Sequence, residues 1–307
     1  MTHTYLGVDL SKYWLDIHDP RSGHARVPNR APELRRWLGR LGREDFLVFE
    51  ATSGCDGLLL RLASAAGQPF HRLNPLHGWH FGRSLNLPKT DRVDARMLAR
   101  LGAERGLPAS LAQDPARAEL AELAGRRDQL RRMETQEKNR LGKSVSATVR
   151  ADIRSQPDAL ARRVRGIEAA IEAFLERHPD LARARHLLKT IPSIGPVTAL
   201  ALLAAMPELG QTDRRAAASL AGLAPKARES GAWRGRRHLG EGRRHVRRAL
   251  YMAALSAIRH GRLCPDLVAR MRAAGKPGKV IAIAVARKLL TIANAVMRDQ
   301  TPYRTTA

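Results

Sequence analysis

TYLGVDL, residues Thr4–Leu10, and FLVF, residues Phe46–Phe49, are short apolar runs; the first carries Asp9 near its end and the second is closed by Glu50. A continuous apolar run of this length suits a strand buried on both faces. Around these two, Tyr13–His18 alternates like a second strand and Ala25–Val27 gives a short third. Ala31–Leu41 reads as a helix with Pro32 in its first turn and Gly42 after its end, and Asp56–Ala66 as an amphipathic helix closed by Gly67. Pro69–Leu73 is the next strand, ahead of Asn74 and Pro75, and a helix runs from Thr90 to about Glu104 before Gly106. Strands first and then strands mixed with helices predict a small α/β domain.

Residues 115–180 have a different texture. Leu120, Leu123, Leu130, Met133, Leu141 and Val145 recur at helical spacing amid dense mixed charge, and Val164, Ile167, Ile171, Phe174 and Leu175 form a second such set. The reading is a long helical hairpin or coiled coil, with Pro157 marking the break between its arms. Its apolar positions call for a packing partner, and a second subunit, in a dimer or tetramer, is the natural one. From Ala182 the chain is helical again. Leu187–Ala204 gives an apolar helix, a turn through Gly195 and Pro196, and a second apolar helix, the pattern of a helix–hairpin–helix unit. Such a turn at Gly195 can aim backbone N–H groups at a DNA phosphate, although a plain helical hairpin has the same pattern. A Gly- and Arg-rich loop, Gly222–Gly242, precedes a helix over Arg243–Arg259 and a last apolar helix over Val280–Val296. The expected division is therefore 1–110, an α/β domain; 111–181, the helical linker; and 182–307, an all-α domain.

The 307 residues hold 54 Lys and Arg against 29 Asp and Glu, a net charge of +25. Residues 181–307 carry 24 of the basic and 6 of the acidic side chains, so +18 of the excess lies there. Such self-repulsion is relieved by a polyanion, and nucleic acid is the commonest one. An apolar share of 44% excludes a disordered tail, and two cysteines, Cys55 and Cys264, exclude a disulfide framework and suit a reducing compartment. The apolar runs around Leu200–Met206 and Val280–Ala286 fall short of the roughly 20 residues a bilayer needs, so no membrane association is expected. Asp9 stands where a signal peptide would have its apolar core, and a cytoplasmic, nucleoid-associated location is expected.

Four acids stand apart. Asp9 and Glu50 sit at ends of apolar strands, where a lone carboxylate is costly, and Asp91 and Asp94 lie three apart on one helix and so share a face. Convergent carboxylates repel one another, and hard divalent cations, Mg²⁺ or Mn²⁺, relieve that repulsion. Two such ions about 4 Å apart can clamp the attacking and leaving oxygens of a phosphodiester. Taken singly, each acid fits a helix cap or a surface pair better than a catalytic role.

VDLSK (Val8–Lys12), VFEATSG (Val48–Gly54), LNP (Leu73–Pro75) and KTDRVDA (Lys89–Ala95) resemble the DEDD-type transposases of the insertion sequence 110 family. TIPSIGPVTALALLA (Thr190–Ala204), AASLAGLAP (Ala217–Pro225) and ESGAWRG (Glu229–Gly235) resemble the C-terminal transposase domain of the same family, in the same order. The resemblance implies a ribonuclease-H-like (Holliday-junction-resolvase-like) N-terminal domain, a coiled-coil linker and a helical C-terminal domain. It implies site-specific DNA recombination guided by a structured RNA, a bridge RNA. It also implies a metal-binding tetrad at Asp9, Glu50, Asp91 and Asp94, and a nucleophilic serine at Ser230. Serine suits covalent strand exchange because a phosphoserine keeps the phosphodiester energy for the new partner.

Around Ser230, nine basic residues (Lys226, Arg228, Arg234, Arg236, Arg237, Arg243, Arg244, Arg247 and Arg248) face two acids, and Trp233 stands among them. These are the expected phosphate contacts, with Trp233 a candidate for stacking on a base. The composite site is expected to assemble across domains or subunits. Two other readings remain open at this point: a junction-selective nuclease that uses water, for which four acids suffice, and a non-catalytic binding protein whose acids are structural.

Overall fold

The computed structural model describes residues 3–52, 54–86, 90–112, 114–226, 229–230, 233–234 and 238–304. The chain forms two compact units, Met1–Pro115 and Ala116–Ala307.

The first unit runs β1 (Thr4–Leu10), β2 (Trp14–Asp19), β3 (Gly23–Pro28), α1 (Ala31–Leu38), β4 (Asp45–Glu50), α2 (Gly57–Ala65), β5 (Phe70–Leu73), α3 (Pro75–Ser84) and α4 (Asp91–Arg105). Its sheet has the order β3-β2-β1-β4-β5. β1, β2 and β3 form an antiparallel meander, while β4 and β5 run parallel to β1. The alternation of β1 and β4 sorts their side chains. Leu6, Val8, Leu10, Leu47 and Phe49 pack on one face with Leu34 of α1 and Leu59 of α2. Phe46 and Val48 pack on the other with Met97, Leu98 and Leu101 of α4. Each such fully buried side chain contributes about 1.5–3 kcal/mol.

Helix α4 lies against β1 at close range because small residues meet there. A Cβ on Gly7 would fall 1.9 Å from the carbonyl oxygen of Ala95 and 2.5 Å from the amide nitrogen of Ala99, both backbone atoms of α4. One on Gly102 would fall 2.6 Å from the Tyr5 ring. The helix starts at Thr90, whose hydroxyl accepts the Val93 N–H at 3.3 Å, and ends at Gly106 in the left-handed conformation. Helix α3 is absent from the sequence-based expectation. Asn74 caps it by accepting from the Leu76 N–H, and Pro75 opens it, so its start signal was present while its Gly- and His-rich body concealed it.

The second unit runs α5 (Pro115–Lys143), α6 (Ala147–Glu176), α7 (Pro179–Lys189), α8 (Pro196–Ala205), α9 (Arg214–Leu220), β6 (Pro225–Lys226), β7 (Glu229–Ser230), β8 (Trp233–Arg234), β9 (His238–Leu239), α10 (Arg244–His260), α11 (Pro265–Ala273) and α12 (Gly278–Asp299). The long hairpin exists as α5 and α6, but its break falls at residues 144–146 and not at Pro157, which lies inside α6. An interior proline costs about 3 kcal/mol. Burial of Ile153, Leu160 and Val164 along the same helix offsets that cost. At the true turn, the Arg150 guanidinium donates to the carbonyls of Leu141 and Ser144 at 3.0 and 2.9 Å, satisfying groups that the helix end leaves free. The arms meet through Leu130, Leu160 and Val164, with Arg127 and Arg131 both paired to Glu168. Their other ends, through Leu120, Ile171, Phe174 and Leu175, join the main core of the unit.

Helix α12 is the centre of that core. At 22 residues, with an 18-residue stretch of mean hydropathy 1.8, it is long and apolar enough to cross a membrane by length and composition, whereas the uninterrupted runs in the sequence are short. It is instead more than half buried in protein, with Ile281, Val285, Leu289, Leu290, Ala293 and Val296 packed among α7, α9, α10 and α11.

Candidate active site

The alternation that sends Val8 and Phe49 to one face sends Asp9 and Glu50 to the other, the face that α4 covers. Val8 pairs with Phe49 in the parallel register, so Asp9 and Glu50 follow at the ends of adjacent strands. Asp91 and Asp94 lie in the first turn of α4, as the sequence predicts. The acids feel one another. The Asp9 carboxyl is pushed up from its ordinary 3.8 to about 6, first by burial, then by the charges of Asp94, Asp91 and Asp16. Glu50 is held on the other side by α3, where a Cβ on Gly78 would fall 1.9 Å from its Oε1. The absence of a side chain at Gly78 therefore makes the room Glu50 occupies.

Two residues at this site escaped the sequence reading. Asp16, 3% exposed on β2, is opposite Asp9 in the antiparallel register. Its carboxylate accepts two bonds from Arg26 of β3, at 3.1 and 2.9 Å, and lies 2.7 Å from His24 Nε2. Arg26 in turn stands 3.8 Å from Asp91. The signal was Asp16 set between Leu15 and Ile17 inside WLDIHD, which falls on the α4 side of β2 by the same period of two.

As ligands, these groups are hard carboxylate oxygens, and the repulsion that raises Asp9 is what a divalent cation would relieve; the residues fit such an ion. Among the described residues, no three His, Cys, Asp or Glu side chains stand close enough together to hold one as they are arranged.

In the second unit, Ser230 lies on β7 and pairs with Trp233 of β8, so the expected loop is a pair of short antiparallel ladders, β7 with β8 and β6 with β9. Arg247 cinches the base of this arm, donating to the carbonyls of Gly222 and Gly240 at 3.1 and 2.9 Å. Gly222 and Gly242 both have positive φ and press together: a Cβ on Gly242 would fall 2.3 Å from the Gly222 nitrogen. Arg243 pairs in a bidentate fork with Glu208, both contacts at 2.6 Å, and Arg248 reaches Asp128 at 2.6 Å. These three arginines, grouped with the phosphate contacts from sequence, are bound internally. Arg244 is exposed and makes no ion pair among the described residues. Lys226, Trp233 and Arg234 enter through their strand pairings, and Arg228, Arg236 and Arg237 lie outside the described residues. Gly195 is the N-cap of α8, and Pro196 at the first helical position removes one of the N–H groups such a turn could offer.

A mixed sheet with acids gathered at the ends of two parallel strands, in a chain whose other unit is basic and helical, defines a nucleic-acid-processing enzyme. Two family models match the chain: a DEDD transposase of the IS110 type over residues 7–149, and "Transposase IS116/IS110/IS902 family" over residues 185–269. The pilin gene-inverting protein of Moraxella bovis is 30% identical over 322 aligned residues, covering 99% of this chain and 98% of that protein, and the one of Moraxella lacunata is as similar. An uncharacterized 42 kDa protein of the insertion element IS900 from Mycobacterium paratuberculosis is 32% identical over 169 residues, 53% of this chain and 40% of that one. The chain belongs to the IS110 family of transposases and recombinases, enzymes that bind, cut and rejoin DNA. The DEDD domain brings with it the expectation of divalent-metal dependence.

Proposed function

We propose that this protein is a site-specific DNA recombinase in which Asp9, Glu50, Asp91 and Asp94 hold Mg²⁺ or Mn²⁺ and Ser230 is the nucleophile. The observation that carries the reading is the placement of Asp9 and Glu50 at the ends of adjacent parallel strands, under the helix α4 whose first turn holds Asp91 and Asp94; burial and the acids of α4 push the Asp9 carboxyl up to about 6. Nothing in the packing of a core requires a half-buried acid to face two more, and perturbed groups of this kind gather at functional sites. The sheet order, with its antiparallel meander and two added parallel strands, supports the ribonuclease-H-like reading of the first unit. A bound divalent cation would stabilise charge on the phosphoryl oxygens as the strand is cut. Asp16 and Arg26 hold β2, β3 and the first turn of α4 in place around those ligands. Ser230 Oγ loses its proton and bonds to phosphorus while the strand's bridging oxygen leaves as a hydroxyl; reversal of the step on a new strand end restores the serine.

Guidance by a structured RNA follows the family resemblance, and the +18 excess of residues 181–307 suits two polyanions as well as one. The relatives named for pilin gene inversion support inversion of a DNA segment as one outcome of the same chemistry. A dimer or tetramer is proposed from the hairpin, where Met133, Val145 and Val149 stay exposed.

The test is a denaturing gel of DNA bearing the element's ends, incubated with the full chain, guide RNA and Mg²⁺, with and without protease. A protease-sensitive adduct in the parent and none in Ser230→Ala is expected. An adduct that persists in Ser230→Ala overturns the serine assignment. Clean nicks from that variant would instead make water the attacking group and the protein a junction-type nuclease.

A further inference from the structure

On the segments that follow β1 and β5, next in the chain to residues of the acid site, two aromatic rings stand open, each with a cation over it. Trp79 of α3 is 51% exposed, and the Arg83 guanidinium carbon lies 5.0 Å from its ring centroid. Tyr13, in the turn between β1 and β2, is 66% exposed, and Lys12 Nζ lies 5.1 Å from its centroid. Scattered exposed aromatics are ordinary and mean nothing alone. Here position and company add to exposure. Trp79 directly follows Gly78, the residue that Glu50 packs against, and Tyr13 lies four residues beyond Asp9. Neither Arg83 nor Lys12 makes an ion pair among the described residues, so both charges remain open to a ligand. Trp37, by contrast, packs against the core.

We propose that Trp79 with Arg83, and Tyr13 with Lys12, are stacking platforms that hold nucleobases of the DNA strand on either side of the phosphate to be cut. The ring offers the face its cation does not cover to a base that has left the duplex stack, and the cation over the other face offers a contact to the neighbouring phosphate. The inference rests on the acids being the cleavage site. An enzyme that cuts and re-pairs strands leaves bases unstacked during the exchange, and base–aromatic stacking holds those bases without demanding a sequence. The partner is thus unpaired DNA, met at the acid end of the first unit.

The test uses the full chain, without metal so that no strand is cut, and a 12-nucleotide dT strand in which some thymines are 5-iodouracil. Ultraviolet irradiation followed by peptide mapping should find adducts on Trp79 and Tyr13. Trp79→Ala should lose its adduct and weaken binding at this site by about 5- to 150-fold, the range that one stacked base supports, read as the yield of the Tyr13 adduct against strand concentration. Trp79→Phe, which keeps a π-face, should restore most of that affinity. Adducts confined to residues 116–307, equal loss in Ala and Phe variants, or adducts formed only with the ribose version of the strand would each overturn the proposal. Because the adduct needs no cleavage, Asp9→Asn separates the two readings. If that variant still cuts DNA, the acid assignment falls; if it forms the Trp79 adduct without cutting, both readings stand.

Discussion

Replacing Asp9 by Asn should make the metal-free protein more stable while abolishing its chemistry. Burial and the charges of Asp94, Asp91 and Asp16 raise the carboxyl from 3.8 to about 6. The folded state therefore holds the Asp9 proton more tightly than the unfolded chain does. Below about pH 4 both states are protonated and the site costs nothing. Between about pH 4 and pH 6 stability falls as pH rises, and above that the full cost is present. The span from 3.8 to about 6, at about 1.4 kcal/mol per pH unit, sets an upper limit of about 3 kcal/mol, and solvent screening of this half-buried carboxylate brings the expected cost to about 1–2 kcal/mol. Asn has the same shape, stays neutral, and keeps an oxygen to accept the backbone bond at Leu10. Urea unfolding in EDTA, followed by tryptophan fluorescence, measures the difference; three of the four tryptophans, Trp14, Trp37 and Trp79, lie in the first unit. Asn should match the parent near pH 4 and exceed it by about 1–2 kcal/mol near pH 7.5. Mg²⁺ at 100 times its dissociation constant should return about 2.7 kcal/mol to the parent and little to the variant. If Asp9→Asn is no more stable than the parent at pH 7.5, or if the gap does not close on acidification, the acids do not face one another as described.

Three further outcomes test the packing. Gly7→Ala puts a methyl 1.9 Å from the Ala95 carbonyl oxygen; ordinary contact begins at 3.4 Å, so α4 must retreat by about 1.5 Å. Hydrogen exchange should show β1 and α4 loosened, at a cost of about 1–3 kcal/mol or more, and cleavage should fall about 100-fold for each ångström that Asp94 is displaced; unchanged protection would remove Gly7 from this role. Arg243→Ala strips the partner from Glu208, whose carboxyl burial pushes up but whose bonds from Arg243 hold below the usual range. Stability should drop by about 1–3 kcal/mol near neutral pH, with the loss shrinking as acid neutralises Glu208, whereas Arg244→Ala should leave melting unchanged, weaken nucleic-acid binding and lower its salt slope by about one. Equal effects of the two variants on both measurements would contradict the division drawn between them. Asn294→Ala removes the bonds to the Gly210 N–H and Thr212 carbonyl, both 2.8 Å, and should cost about 1–3 kcal/mol in thermal unfolding, with a neutral result meaning that water replaces both.

The first unit was largely written in local pattern. The period of two along TYLGVDL and the apolar run Phe46–Phe49 determine the strands, and with them the face that Asp9 and Glu50 share. The three-residue spacing of Asp91 and Asp94 determines that both point the same way from one helix, and the charge count alone locates the basic half of the chain. These are consequences of backbone geometry over a few residues, and a sequence states them directly. Other features depend on groups far apart in the chain. Asp16 and Arg26 are 10 residues apart and meet across a strand pair; Arg243 and Glu208 are 35 apart and Arg248 and Asp128 are 120 apart. An arginine that will grip a phosphate and one that will close an internal ion pair are identical in sequence, because the difference lies in the acid that folding brings to it. Pro157 shows the same limit, since a breaker by local propensity sits inside α6 where burial against α5 outweighs the bond it removes. How near α4 comes to β1, and so how strongly the acids act on Asp9, was settled by the missing side chain at Gly7 meeting the backbone of α4, a contact that exists only once the helix has packed on the sheet.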